Sequence, residues 1–317
     1  MYHINFYIKI KGEFLSPLAK SRKNYENTGM KQARYTLSVI AAGVLWGIIS
    51  IFIKGMNAGN VSPLQIVQLR TIMASAALAL YLFFTNKKLL CFKLKDIWMF
   101  IGTGVISLTF FSLCYFQTII ESGASVAVIL LYTSPIFVIL LSLVLFQERI
   151  TAVKLTALIM TFIGCILVSG LGRDSGGITV KGFIIGLGSG LGYALYSIFS
   201  RYALKKYHVL TIIFYTFLFS GISIIPFSGL SLDSTLLQPH MLLYGAGIAV
   251  FCTVLPYLFY TYGMTKLETG KAAILVTVEP LVGTLMGCCI YGEPMTIVKT
   301  IGILLTFGAV ILLGLKK

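Results

Sequence analysis

Long runs of uncharged, apolar residues constrain the fold of this chain more than any other feature. Ten such runs lie between the charged residues, and each has about the 20 residues that a helix needs to cross the hydrocarbon core of a bilayer. Only 11% of the residues are charged, whereas soluble domains have about 25%. The chain therefore could not cover a water-facing surface, which excludes soluble enzymes, coiled coils, disordered regulators and secreted disulfide scaffolds. The sequence predicts an all-α polytopic membrane protein.

Ten transmembrane helices are predicted, with ends placed to within about 2 to 4 residues. The gaps between them are too short for a soluble domain. The helices cover residues 36–55, 63–84, 97–117, 123–146, 152–170, 180–201, 208–228, 240–262, 271–291 and 296–315.

The positive charges indicate the orientation of these helices. The net charge is +15, but Lys and Arg lie between the apolar runs and near the termini, not in the single stripe that indicates nucleic-acid binding. If the chain starts in the cytoplasm, twenty of them are cytoplasmic, and only Lys54, Arg173, Lys181 and Lys299 are outside. Positive residues favour the cytoplasmic side. We therefore predict a cell (inner) membrane protein in the lipid bilayer, with both termini cytoplasmic and no nucleic-acid partner.

Residues 1–34 form a polar, basic segment without a helix-length apolar run, and they lack the features of a signal peptide. Two interpretations are open. Translation starts at Met30 and the preceding residues are an over-extended reading frame, or the segment is a basic cytoplasmic arm at an anionic leaflet.

An internal repeat divides the rest of the chain into residues 35–171 and 172–317. Residues 130–154 match residues 275–299 at an offset of 145, which pairs Pro135 with Pro280 and Glu148 with Glu293. Each half has five predicted helices, and because five is odd, the second half must enter the membrane from the opposite face. Two inverted five-helix repeats are the architecture of many secondary transporters, whose binding site lies at the midplane between the repeats.

Several short motifs follow one another in a characteristic order. They are Gly43-Val-Leu-Trp46-Gly47, Pro63 with Arg70 in the second run, Pro135 followed by Glu148-Arg-Ile-Thr151, Glu279-Pro280, and Gly292-Glu293-Pro-Met-Thr296. This order resembles the EamA family of the drug/metabolite transporter superfamily, over about residues 31–315. The resemblance implies ten helices, of which one to four and six to nine line a central cavity while five and ten pack outside. It also implies alternating access that moves small metabolites, often amino acids outward, without ATP.

Two charged residues lie near the middle of predicted helices. An ionisable group at this depth costs on the order of 3 kcal/mol even on a lenient scale, so it usually marks a pathway or a counter-charge. We expect Arg70 and Glu279 to face one cavity, paired directly or bridged by water or solute. A guanidinium also suits a carboxylate or phosphate, which would make the substrate anionic or zwitterionic. The structural alternatives are that Arg70 locks helix packing and that Glu279 caps a broken backbone.

Aromatic residues on related helices are further candidates for substrate binding. Buried Trp and Tyr combine apolar area with one hydrogen-bonding group, which suits a small amphiphilic solute. Aromatic residues are also common at membrane interfaces without any binding role. The candidates are Trp46, Tyr132, Tyr193 and Tyr196.

Paired prolines and glutamates are predicted to act as hinges or gates. Pro135 and Pro280 lie inside predicted helices, where proline frees a carbonyl and kinks the helix. Glu148 and Glu293 lie at equivalent helix ends, where a carboxylate is tolerated, and we interpret them as turn and gate residues.

The sequence lacks nucleotide-binding, nucleophile-elbow and zinc-protease motifs, and its six cysteines have no metal or redox spacing. We therefore predict no enzyme activity, no cofactor and no metal site. The predicted function is a secondary transporter, an exporter of small polar or amphiphilic metabolites such as amino acids, with a small-molecule substrate, coupling to protons through Glu279 and a monomeric or homodimeric state. The alternatives are an importer or facilitator of sugars or nucleotide derivatives, a channel or scaffold, and a membrane-embedded enzyme.

Overall fold

A computed structural model of the chain describes residues 32–57, 61–169, 179–228, 238–292 and 294–315. Ten apolar helices, labelled α1 to α10, are the main elements of these residues. They are α1 Gln32–Ile53, α2 Pro63–Thr85, α3 Leu94–Ser122, α4 Ala124–Phe146, α5 Ala152–Val168, α6 Val180–Ala203, α7 Val209–Ser223, α8 Pro239–Met264, α9 Thr269–Ile290 and α10 Ile297–Gly314.

Eight of these helices are long and apolar enough to cross a membrane, fewer than the ten spans that the sequence predicts. The other two, α5 and α7, are apolar but have only 17 and 15 residues. At 1.5 Å per residue, α7 is about 22 Å long, whereas the hydrocarbon core is about 30 Å thick. α7 ends at Ser223, the chain turns at Ile224, and the short helix Ile225–Ser228 follows. Pro226 lies in this short helix, and proline does not continue a regular helix.

Two helices, α4 and α9, are broken just before a proline. In α4 the regular segments Ala124–Leu131 and Ser134–Phe146 flank the break. In α9 they are Thr269–Leu275 and Val278–Tyr291. Pro135 and Pro280 lie in the first turn after each break, where the missing proline N–H leaves no partner for a carbonyl of the preceding segment.

Other local features also recur at the repeat offset of 145. Gln147 after α4 and Gly292 after α9 both have left-handed backbone, with φ of 56° and 67°. The hydroxyls of Thr151 and Thr296 each accept a 3.2 Å hydrogen bond from the amide three residues later, so both cap the helix that follows. The internal repeat of the sequence is therefore matched by repeated turns and caps in the structure.

Glycines allow close helix contacts at the two broken helices. A methyl group built on Gly47 of α1 would lie 2.6 Å from Cβ of Val282 and 2.8 Å from the carbonyl oxygen of Glu279, both on α9. A similarly close contact occurs on α6 at Gly190, where a methyl group would lie 2.7 Å from the carbonyl oxygen of Leu130 on α4. Such small residues let helix backbones approach closely. The α1–α9 pair and the α6–α4 pair thus form the walls between which the cavities lie.

Helices α5 and α10 pack against each other along their length. Gly164 and Gly302 bring their backbones together, since a methyl group on either would lie within 2.8 Å of the other's carbonyl oxygen. The expectation that helices five and ten pack outside the cavity-lining helices holds only in part, because Val168 of α5 and Lys299 of α10 also line a cavity of about 560 Å³. Among the described residues, α7 contributes none of the lining of this cavity or of a second one of about 250 Å³ between the helices.

Half of the described Lys and Arg residues lie in or beside the turns after α2, α4, α6 and α8. We call this side of the molecule the basic end, defined by Lys87, Lys88, Lys93, Lys95, Arg149, Lys205, Lys206 and Lys266. The sequence predicts that this end is cytoplasmic. The predicted basic tail up to residue 31 lies outside the described residues.

Candidate functional site

A cavity of about 250 Å³ lies between α1, α2, α3, α6, α8 and α9. It contains both of the charged residues that the sequence places near the midplane, Arg70 and Glu279. The structure therefore brings these two side chains to one cavity, together with the candidate aromatic residues Trp46 and Tyr193.

Glu279 is held at this cavity by the break in α9. It follows Thr277 and Val278 in the first turn of the second segment of α9, and its amide donates to the carbonyl of Val276 at 3.0 Å. The close approach of Gly47 fixes its backbone against α1. The hydroxyl of Tyr193 on α6 donates a 3.3 Å hydrogen bond to Oε2 of Glu279, so one carboxylate oxygen has a partner and the side chain is held toward α6.

Arg70 reaches the same cavity from the middle of α2. Its helix begins at a capping box, in which Ser62 and Gln65 exchange side-chain and backbone hydrogen bonds of 2.8 Å and 3.2 Å. Arg70 is only 8% exposed, and its buried Nε has no hydrogen-bond partner. Buried polar groups are normally hydrogen-bonded, and an isolated charge is costly to bury. A guanidinium left in this state is suited to an anionic group that enters the cavity.

The two charges are not directly paired. Among the described residues, neither Arg70 nor Glu279 makes an ion pair within 4.0 Å, although each acts electrostatically on the other. The cavity therefore separates one fixed positive group from one acidic group. A ligand with an anionic and a cationic end could contact both.

Aromatic side chains form the wall of the cavity. The Trp46 ring lies edge-on to Tyr257 with centroids 5.1 Å apart, and its centroid is 6.3 Å from that of Tyr193. Tyr193 in turn packs against Phe111 of α3 at 5.4 Å. These are favourable aromatic geometries, so the wall is rigid and presents ring faces and hydroxyl groups to a solute.

A larger cavity of about 560 Å³ adjoins the first, since both are lined by Trp46, Tyr115 and Glu279. Tyr132, beside the break in α4, lines this outer cavity. So does Ser50, whose buried hydroxyl has no hydrogen-bond partner. The outer cavity extends to the end opposite the basic end, because its lining includes residues at the start of α4, the end of α5 and the start of α10, namely Ser125, Ser169 and Lys299.

The structure places one predicted site residue away from both cavities. Tyr196 is buried on α6 and shares a 2.6 Å hydrogen bond with Thr261 of α8. It packs against Tyr257 with centroids 4.8 Å apart, so it supports the aromatic wall from behind.

Sequence reasoning did not single out Tyr115 and Tyr257, which the structure places on the 250 Å³ cavity. Tyr257 follows Pro256 and a π-helical segment, Val250–Val254, which distorts α8 locally. The Leu-Pro-Tyr sequence inside a long apolar run was a signal for this local distortion. Tyr115 was recognisable only as a repeat partner of Tyr260.

The predicted hinge and gate residues lie at three different places. Pro135 follows the break in α4 and Pro280 lines the outer cavity beside Glu279. Glu148 lies at the basic end, where its Oε1 and Oε2 accept hydrogen bonds of 2.7 Å and 3.1 Å from the amides of Thr269 and Gly270. Glu293 lies outside the described residues.

The side chains that line these cavities are suited to binding a small solute. The described ranges contain no cluster of three or more His, Cys, Asp or Glu residues that could hold a metal ion. The groups that meet at the cavity are a guanidinium, a carboxylate, tyrosine hydroxyls and aromatic rings, which can orient a small charged solute.

Comparison with known proteins identifies the family. The EamA-like transporter family matches this chain twice, over residues 34–170 and 180–315. The two matches correspond to the two halves of the internal repeat.

Individual relatives cover most of the chain. An uncharacterized transporter from Archaeoglobus fulgidus is 31% identical over 87% of this chain and 93% of its own length. The uncharacterized inner membrane transporter YicL of Salmonella typhimurium is 24% identical over 89% of this chain and 95% of its own. The threonine/homoserine exporter RhtA of Escherichia coli is 24% identical over 67% of this chain and 68% of its own.

A solved crystal structure has the same fold. It superposes with a TM-score of 0.76, at 16% identity, and covers 88% of this chain and 95% of its own. The helical fold, the two family matches and the related transporters lead to one conclusion. The chain is a multi-pass membrane transporter that belongs to the EamA family of the drug/metabolite transporter superfamily.

Proposed function

We propose that this protein is a secondary transporter that exports small zwitterionic metabolites, amphiphilic amino acids among them, across the cell membrane. In this proposal Arg70 binds the carboxylate of the substrate and Glu279 binds its ammonium group. Trp46, Tyr193 and Tyr132 contact the side chain of the substrate along its path.

The observation that carries the proposal is the pair of unpaired opposite charges at one cavity. The Arg70 guanidinium is buried with an unpartnered Nε, and the Glu279 carboxylate faces it across the 250 Å³ cavity. Arg70 belongs to the first family match and Glu279 to the second. A zwitterion bound between them would connect the two repeats through charge-assisted hydrogen bonds, which are about twice as strong as neutral ones.

Two further observations support an amino acid as substrate. The rest of the cavity lining is mainly aromatic and aliphatic, with Ile49, Ile66, Phe116 and Ile248 among its residues, which suits a solute with an apolar side chain. The relative from Escherichia coli is named as a threonine/homoserine exporter.

The proposed mechanism is alternating access between two inverted repeats of five transmembrane helices, with α5 and α7 as short spans. The recurrence of broken helices, left-handed helix ends and threonine caps in both halves supports this mechanism. Pro135 and Pro280 would act as hinges, and Glu148 and Glu293 as gates at opposite ends. The charge bias supports cytoplasmic termini, so the described state would be open to the outside.

Coupling to protons is part of the proposal. Glu279 is the one carboxylate lining the two cavities in the described part of the chain. The titratable or charged groups that share these cavities with it are Arg70, Tyr115, Tyr132, Tyr193, Tyr257 and Lys299, and the thiol of Cys165 lies within electrostatic reach of it. Turnover of the wild type in proteoliposomes should then change with external pH, and Glu279→Gln should show no amino-acid transport at any pH. Wild-type turnover that stays constant with external pH would contradict the coupling.

The main experiment is metabolite profiling in a bacterial host that overproduces the protein. The wild type, Glu279→Gln, Arg70→Gln and an empty vector are compared by mass spectrometry of the medium. Glu121→Gln is the matched control, because Glu121 pairs with Lys181 at 2.5 Å, away from the cavity. We expect amino acids to accumulate with the wild type and Glu121→Gln only. Identical media from all strains, with the proteins confirmed in the membrane, would contradict export.

Nucleotide derivatives are the second candidate substrate class, because the Arg70 guanidinium also suits a phosphate. Glu279 distinguishes the two. It would repel a phosphate dianion, so Glu279→Gln should improve nucleotide transport but abolish amino-acid transport in proteoliposomes loaded with each compound.

A further inference from the structure

The turn between α8 and α9 is held from both sides by opposite charges. Arg201, at the end of α6, donates through one guanidinium nitrogen to two carbonyl oxygens, that of Met264 at the end of α8 and that of Leu267 in the turn. Glu148, just after α4, accepts hydrogen bonds from the amides of Thr269 and Gly270 at the start of α9.

Each charge is on the helix end that favours it. The last carbonyls of a helix and the first amides of the next lack intrahelical partners, and they carry partial negative and positive charge respectively. Arg201 meets the last carbonyl of α8 and one carbonyl of the turn, whereas Glu148 meets the first amides of α9. The four hydrogen bonds to charged groups therefore all reinforce the same position of the turn.

A third side chain holds the same turn. Nζ of Lys154, on α5, lies 2.5 Å from Oε2 of Glu268 and donates to the carbonyl of Arg149 at 2.9 Å. The Lys154 side chain is only 8% exposed. An ion pair of which one partner is buried is screened less than a surface pair, so it contributes to holding α9 against α4 and α5.

The turn closes the basic end of the molecule. Ile139 of α4 packs against Gly270, since a methyl group there would lie 3.1 Å from its Cγ1. At the opposite end, residues 124–131 of α4 and 278–290 of α9 both line the 560 Å³ cavity, through Ser125, Val128 and Gly283. The same two broken helices thus meet at the basic end and line a cavity at the other.

We propose that Arg201 and Glu148 act together as a clamp that keeps the basic end closed and so holds the transporter open to the opposite side. Arg201 is a positioning residue that does not touch the substrate. This inference rests on the proposed alternating-access function, because opening of the clamp would be the step that admits substrate from the cytoplasm.

Hydrogen–deuterium exchange in nanodiscs, without substrate, tests the clamp. The variants are Glu148→Ala, Arg201→Gln and the conservative Arg201→Lys. Hydrogen bonds to charged groups contribute about 1.5–3 kcal/mol each, so exchange in residues 264–275 should accelerate about tenfold or more in the first two variants. Arg201→Lys keeps a donor for the carbonyls and should restore part of the protection. Arg149→Gln, which changes an exposed side chain beside Glu148, is the matched control and should behave as the wild type.

A second readout separates a clamp from a merely structural role. If the equilibrium shifts to the state open at the basic end, residues 124–131 and 283–290 at the opposite end should exchange more slowly in Glu148→Ala and Arg201→Gln. Faster exchange at both ends would mean general loosening, and no change at residues 264–275 would mean that the contacts do not hold the turn. Either result overturns the clamp. The outcome is independent of substrate, so a failed export assay would leave this test intact.

Discussion

The hydroxyl of Tyr193 on α6 donates a 3.3 Å hydrogen bond to Oε2 of Glu279 on α9. This bond joins the two closely packed helix pairs, because α6 packs against α4 and α9 packs against α1. Glu279 therefore keeps its second carboxylate oxygen for another partner, and its position depends on a residue from the other side of the cavity.

Removal of this hydroxyl tests its role in orienting Glu279. We expect Tyr193→Phe to raise the KM for the exported substrate about tenfold or more, because a hydrogen bond to a charged group contributes about 1.5–3 kcal/mol. The ring still packs against Trp46 and Phe111, so thermal stability should stay close to that of the wild type. Initial rates in proteoliposomes measure the KM. Tyr81→Phe on the exposed face of α2 is the control, and an unchanged KM for Tyr193→Phe would contradict the role.

Arg70 should combine a functional benefit with a cost in stability. Replacement of a poorly compensated buried charge by an apolar side chain of similar length often stabilises a protein by about 1–4 kcal/mol. We expect Arg70→Met to raise the thermal unfolding temperature in detergent and to abolish transport. Arg149→Met at an exposed position should change stability by less than about 0.5 kcal/mol. A clear loss of stability in Arg70→Met would instead indicate that Arg70 locks the helix packing.

The contact between α1 and α9 depends on the absence of a side chain at Gly47. Added atoms in a well-packed contact cost about 1–3 kcal/mol, and the carbonyl of Glu279 is backbone that has little freedom to move. Gly47→Ala should therefore lower thermal stability and displace Glu279, with a loss of transport. Gly314→Ala on α10 is the control, because a methyl group there would meet no other atom within 4 Å. Equal unfolding temperatures for both variants would exclude a tight contact.

Much of this architecture could be predicted from the sequence, because apolar run length and proline position act locally. The apolar run after Pro239 was predicted to form one helix and does so as α8, and Pro135 and Pro280 lie at the two helix breaks. Arg70 and Glu279 stood out because charges are rare in apolar runs. The role of Arg201 could not be predicted, since a basic residue at a helix end is ordinary and its partners are backbone carbonyls 63 and 66 residues away. Tyr257 was harder to single out than Arg70, because the neighbouring Pro256 indicates a local distortion of α8 but not which side chain reaches the cavity.

The break in α9 should let its two segments move independently of each other. Pro280 prevents a continuous helix, and the break holds Glu279 in the first turn of the outer segment. Alanine restores the missing N–H and is favoured over proline inside a helix by about 3 kcal/mol. We expect Pro280→Ala to stabilise the helix but to reduce turnover about tenfold or more, because the two segments of α9 can no longer move independently. Pro239→Ala is the matched control, since proline in the first turn of α8 interrupts nothing. Transport by Pro280→Ala at the wild-type rate would mean that α9 moves as a rigid rod, and the hinge would then have to lie in the turns at its ends.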